Sequence, residues 1–262
     1  VPLLWVIFSS TKTSEGIFSS FGLWFDDKNV FWQNVQDTFS YQNGAYTRWL
    51  FNTIMYAVVA GVGATIIATF AGYAIATMRF PGRNALLAVT LAFMSIPSTV
   101  ITVPLFLMYS KIGLVGTPWA VIIPQLATPF GLYLMIIYAQ TSIPVSLIEA
   151  AKLDGANTWT IFWKVGFPLL SPGFVTVLLF TLVGVWNNYF LPLIMLSDTN
   201  DYPLTVGLNM WLKMGAQGTA NGQVPNNLII TGSLIAVVPL IIAFMFLQKY
   251  WQSGLAAGSV KQ

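Results

Sequence analysis

The sequence predicts an all-α, polytopic membrane protein with six transmembrane helices, the first truncated, and a short cytoplasmic helix pair. Three observations predict it. Charged residues make up 7% of the 262 residues and apolar residues 56%, whereas a soluble domain carries about 25% charged residues. Apolar stretches long enough to cross a bilayer, about 20 residues each, recur along the chain. Those stretches contain proline and glycine, which membrane helices tolerate because neighbouring helices satisfy the freed backbone groups.

In chain order, residues 1–10 are apolar but reach only about 15 Å as a helix, which is too short to span. They read as the end of a truncated first span rather than a signal peptide, since neither a basic start nor a small-residue cleavage site is visible. Residues 11–48 form an extracytoplasmic segment with Asp26, Asp27, Asp37 and five aromatics from Phe21 to Trp32. Aromatics there fit interfacial anchoring. The core, 49–250, holds five further spans. These are 49–77 with Gly61, Gly63 and Gly72; 85–109 with Pro97 and Pro104; 119–139 with Pro124 and Pro129; 172–196; and 227–250. The glycines read first as close helix packing. Residues 251–262 are a cytoplasmic tail.

Lys and Arg set the orientation. One set of connections carries Arg79, Arg83, Lys152, Lys164, Lys249 and Lys261, in shorter segments than the set with Lys12, Lys28, Arg48, Lys111 and Lys213. The denser set is placed in the cytoplasm, with both chain ends of the intact protein.

Composition also bounds the chemistry. With no His and no Cys, imidazole metal sites, Ser-His and Cys-His nucleophiles, zinc clusters and disulfides are all removed. The net charge of +3 is not gathered into a stripe, so nucleic acid is not an expected partner. No acidic or basic residue lies in the middle of a span, whereas ion-coupled carriers and channel filters use such groups. A stand-alone secondary carrier or channel is therefore the alternative reading, not the leading one.

The informative stretch is 143–168. Pro144 suits a first helical turn, Gly155 falls where a left-handed C-terminal cap belongs, and Asn157 is a fair N-cap for a second short helix. Trp159, Phe162 and Trp163 then share an apolar face. Pro168 and Pro172 set the entry to the next span. Such a helix pair either lies on the membrane surface or docks into a groove of another protein.

Glu149-Ala150-Ala151, three residues, Gly155, nine residues, Val165 and then Phe167-Pro168 resembles the "EAA" signature of ABC importer permeases. Val165 and Phe167 are apolar departures that keep its size and greasiness. The stretch from Trp186-Asn187-Asn188 to Leu193, the stretch from Tyr202-Pro203-Leu204 to Leu208, and the tail from Gly254 to Lys261 are similar to segments of the second, six-span permease of maltose-type sugar importers. The resemblance covers about residues 49 to 262.

The resemblance implies a type I importer permease that passes a di- or oligosaccharide delivered by a soluble extracytoplasmic binding protein. It implies three kinds of partner: a second permease, a dimer of ATPase subunits and that binding protein. Membrane lipid surrounds them. No catalytic residue, metal or cofactor belongs to this chain; ATP and Mg sit on the ATPase. Glu149, Ala150, Ala151, Asp154, Gly155, Trp159, Phe162 and Trp163 would couple to the ATPase, with local capping an equal reading for Asp154. Trp186, Asn187 and Asn188 are translocation-path candidates by amide and indole chemistry, with interhelical bonding the competing reading. Gly215, Ala216, Gln217, Gly218 and Thr219 would form an outward loop that enters the binding protein, with a plain flexible loop as the alternative. The tail would insert between the ATPase subunits, or be disordered.

Overall fold

The computed structural model describes the backbone of residues 1–217 and 224–259, and side chains up to 216 and from 224 to 248. Every regular element among them is helical. The helices are α1 (Pro2–Ser10), α2 (Ser14–Ser19), α3 (Phe31–Thr77), α4 (Arg83–Met94), α5 (Ser98–Lys111), α6 (Trp119–Gln125), α7 (Pro129–Ser142), α8 (Val145–Leu153), α9 (Thr158–Ile161), α10 (Phe167–Trp186), α11 (Phe190–Met195), α12 (Leu204–Gln217) and α13 (Asn226–Ser259).

Four described stretches are long and apolar enough to cross a membrane: Phe31–Thr77, Trp119–Ser142, Thr158–Trp186 and Asn226–Gln248. The pair α4 and α5 makes a fifth if counted as one span, although it bends by 104°. The bend falls at Ser95–Pro97, as the predicted proline break requires. The predicted span boundaries need three corrections. First, helix precedes Trp49: α3 begins at Phe31 and turns a corner at Tyr41–Gly44, where Gln42, Asn43 and Gly44 all take positive φ. Second, the span expected to start at Pro172 begins at Thr158 and ends at Trp186, so the second short helix and the span are one rod. Third, residues 197–226 are not simply a loop, because α12 fills half of them.

The chain divides into two compact units. The first comprises Val1–Met55, Gly116–Pro118 and Asn187–Ile242. Its core is aromatic. Trp49, Tyr46 and Trp211 are buried, and the Trp49 and Trp211 rings meet edge to face at 4.9 Å. The Trp211 indole N–H donates to Gln42 Oε1 at 2.9 Å, which holds the strained corner. Lys12, expected in a solvated connection, is completely buried. Its ammonium donates to Ser20 Oγ and to the Phe21 carbonyl, each at 2.7 Å, which offsets its desolvation.

The second unit comprises Tyr56–Val115, Trp119–Trp186 and Ala243–Gln262. Here threonine hydroxyls bond to the helix backbone and to one another. Thr65 and Thr69 donate to carbonyls four residues back, and Thr65 meets Thr181 at 3.0 Å. A Cβ on Gly72 would lie 2.6 Å from Met135 Cβ, so the predicted close helix packing is what this glycine serves.

Candidate functional site

The hairpin at 143–168 is built from local signals. Helix α8 ends in a Schellman turn. Asp154 is the C-cap, Gly155 follows at φ +78°, its N–H donates to the Lys152 carbonyl, and the Ala156 N–H donates to the Ala151 carbonyl, both at 3.0 Å. The spacing from Ala151 to Gly155 is thus the spacing from C3 to C′ of that motif. No atom lies within 4 Å of a Cβ built on Gly155, so the backbone alone demands glycine there. Asn157 then caps α9, its side-chain oxygen accepting from the Thr160 N–H at 2.8 Å. Pro144 is the N-cap of α8 rather than a residue of its first turn.

Helix α9 does not stop at Pro168. A π turn over Phe162–Gly166 carries it into α10, with the Phe167 N–H donating to the Phe162 carbonyl. Pro168 cannot donate to the Lys164 carbonyl, and a widened turn just before it absorbs that missing bond.

The hairpin has two faces. Inward, Ile143, Ile148, Ile161 and Phe162 join Ala68, Tyr73, Met135, Ala139, Leu170 and Val177 in one buried cluster. Outward, Glu149, Ala150, Lys152 and Asp154 are exposed, and so are large apolar groups: Leu153 is 89% exposed, Trp159 63% and Trp163 44%. The predicted shared face of three aromatics is present, the rings lying 5.0–6.2 Å apart, but it is graded in burial: Phe162 is buried and both tryptophans are exposed. Ala151 is half-buried on the cluster, as is Ala156. Among the described residues no ion pair or hydrogen bond occupies the Glu149 carboxylate. Asp154 serves as a backbone cap position, the reading set beside coupling.

Phe70, from α3, was missed by sequence reasoning. Its ring stacks on Trp159 (5.8 Å, 4° between planes) and on Phe162 (4.7 Å), and meets Trp163 edge-on at 6.1 Å. No local pattern marks it, because the partnership is tertiary.

The other candidate residues fall elsewhere. Trp186, buried, ends α10; Asn187 and Asn188 follow where the helix is broken before α11. Asn188 Oδ1 accepts from the Leu191 N–H, and its carbonyl accepts from Thr205 Oγ1 at 2.8 Å. Beside it, the Tyr189 hydroxyl donates to Asn209 Oδ1 at 2.9 Å. Tyr189, Thr205 and Asn209 thus extend the polar group beyond the two asparagines, a grouping that only folding creates. Gly215, Ala216 and Gln217 form the last turn of α12 instead of a loop tip. Burial of Leu204, Gly207 and Trp211, at i, i+3 and i+7, gives that stretch one helical face. Gly218 and Thr219 lie outside the described residues, as does the end of the tail at 260–262. No group of His, Cys, Asp or Glu able to hold a metal occurs among the described residues.

Comparison with known proteins agrees with this architecture. Residues 64–256 match the family described as "Binding-protein-dependent transport system inner membrane component". The chain is 31% identical over 99% of its length to the arabinooligosaccharides transport system permease protein AraQ of Halalkalibacterium halodurans, covering 90% of that protein. It is 28% identical over its full length to the diacetylchitobiose uptake system permease protein NgcG of Streptomyces coelicolor, covering 82% of it. Its fold matches a chain of a bacterial ABC transporter involved in import of the acidic polysaccharide alginate, with a TM-score of 0.81 and 24% identity over 95% of this chain and 90% of that one. By the family match and the AraQ likeness together, the chain belongs to the inner membrane components of binding-protein-dependent transport systems, the permeases of ABC importers.

Proposed function

We propose that this permease passes a di- or oligosaccharide, handed over by an extracytoplasmic binding protein, and that its 143–168 hairpin is seated on a separate ATPase subunit at the cytoplasmic face. Two copies of that subunit, holding ATP and Mg, and a second permease complete the assembly. Both ends of the intact protein then lie in the cytoplasm. The sugar assignment is supported by the arabinooligosaccharide and diacetylchitobiose permeases among the relatives. The coupling assignment is supported by one observation above others: a rigid, doubly capped hairpin that turns Leu153, Trp159 and Trp163 outward. Large apolar groups exposed together on a polar hairpin mark a surface for a partner.

The mechanics follow from the continuity of α9 with α10. A push on Trp159 and Trp163 is transmitted along one helix, Thr158–Trp186. ATP-driven closure of the ATPase pair thereby becomes rotation of the spans, a rigid-body switch between inward-open and outward-open states. At the helix break before α11, amide and hydroxyl groups of Asn188, Tyr189, Thr205 and Asn209 offer the hydrogen-bonding chemistry that a sugar hydroxyl needs.

Glu149→Lys tests this reading. The assembled importer should keep basal ATP hydrolysis and lose its stimulation by the loaded binding protein, with transport falling at least tenfold, as expected when one charged partner of an interface pair is reversed. Transport at the unsubstituted rate would refute the coupling assignment.

A further inference from the structure

We propose that the turn between α3 and α4 is a binding site for one anionic phospholipid, whose phosphate sits between Arg79 and Arg83 and whose acyl chain lies along α4. The proposal rests on the chain's membrane setting and is independent of which cargo it carries.

Arg79, Phe80, Gly82, Arg83, Asn84 and Ala85 line a concavity of about 290 Å³. Two guanidinium groups serve it, and among the described residues no carboxylate forms an ion pair with either. Among the described residues the Arg79 guanidinium has no hydrogen-bond or ion-pair partner. Arg83 makes a single long bond, 3.4 Å, to the Ala76 carbonyl, so most of its donors stay available. Gly82 caps α4 at φ +88° without a side-chain bond; the Arg83 N–H donates to the Phe80 carbonyl at 3.4 Å, and the Asn84 and Ala85 amides of the first turn are left to an outside acceptor. Planar guanidinium forks match phosphate oxygens two at a time.

What makes the ligand a lipid rather than a free anion is the surface next to the concavity. Leu86, Val89 and Phe93 lie on one side of α4 and are each about half exposed, at 48%, 50% and 49%. From Arg83 to Phe93 the helix rises about 15 Å, the depth of one leaflet's hydrocarbon. A charged mouth at one end and an apolar stripe one leaflet long at the other match a phospholipid in both charge and length. Basic groups at a helix end next to the membrane surface are suited to anionic headgroups.

The test uses the complete importer reconstituted in nanodiscs of phosphatidylcholine with a minority of phosphatidylglycerol, with retained lipids counted by native mass spectrometry. The unsubstituted complex should retain phosphatidylglycerol over phosphatidylcholine by roughly thirtyfold beyond their bulk ratio, the effect of two basic groups at the surface. R79Q/R83Q should return that ratio to about one, and L86S/F93S should lower retention with both arginines in place. Should R79Q/R83Q fail to assemble, R79K/R83K keeps the charges and should retain the preference at a reduced level. Millimolar inorganic phosphate should leave the bound lipid in place. The proposal is overturned by an equal retention of both lipids, by a preference that survives R79Q/R83Q or vanishes in R79K/R83K, by displacement with inorganic phosphate, or by a partner subunit that covers the stripe and leaves no lipid there.

Discussion

The 143–168 hairpin leaves Trp159 63% and Trp163 44% exposed, whereas α12, which fills much of the 197–226 segment, buries Trp211 completely. Both segments interrupt the apolar spans, and both carry glycine and polar residues. They differ in where their large aromatic area goes. Trp211 is enclosed by Tyr41, Tyr46 and Trp49 within its own unit and spends its indole N–H on Gln42. The hairpin keeps Phe162 for its own unit and presents two indoles outward. A fully enclosed tryptophan is part of the scaffold, while exposed tryptophans on a capped hairpin are the groups that the coupling proposal gives to a partner.

The largest effect should come from the enclosed side of that comparison. Trp211→Ala removes the ring from three aromatic contacts and leaves Gln42 without its donor at a corner of positive φ. A loss of about 3–5 kcal/mol is expected, as for other buried aromatic truncations. Thermal unfolding of the purified complex should show it, with lower yield in the membrane. A change below about 1 kcal/mol would mean that α12 is a replaceable appendage and would break the comparison.

Why one segment was legible and the other was not has a physical reason. The hairpin is written in local code. Gly155 and Asn157 act within four residues of themselves, through φ and through one capping bond, so spacing alone placed both turns. Trp211 and Phe70 act across long sequence separations. Nothing around Gly215 announces that a helix will be stabilised by an indole packed on Trp49. Pro168 misled for the opposite reason, since a proline normally ends a helix, yet the π turn at Phe162–Gly166 lets α9 pass into α10 unbroken. The corner at Tyr41–Gly44 likewise depends on Trp211, a residue far along the chain, to hold Gln42 in a conformation its own propensity disfavours.

A smaller effect is expected at Gly155. Since a methyl group there meets no atom within 4 Å, Gly155→Ala isolates the backbone term of holding φ at +78°. The expected loss is about 1–2 kcal/mol, confined to α8 and α9, because the inner cluster of Ile148, Ile161 and Phe162 is untouched. Hydrogen exchange should show faster opening of amides 150–160 with the spans unchanged. Equal acceleration throughout α10 would show that the hairpin and the span unfold as one element.

Trp159→Ala sharpens the contrast most, although its effect on stability should be the smallest. The ring is 63% exposed, and its internal contacts are three ring pairs, with Phe70 at 5.8 Å, Trp163 at 5.7 Å and Phe162 at 6.2 Å, of a kind worth about 0.5–1.5 kcal/mol. Phe162 still covers Phe70 at 4.7 Å, so the lower end of that range is expected. Function should respond differently. An exposed aromatic that fills a partner's pocket is the kind of residue whose truncation weakens binding by about 2 kcal/mol or more, near thirtyfold. Titrating the ATPase subunits back onto stripped membranes should therefore show much weaker assembly with the Trp159→Ala permease, at an unfolding temperature close to that of the unsubstituted protein. Unchanged reassembly would place the partner's contact on the Glu149 side of the hairpin and leave Trp159 to the membrane surface.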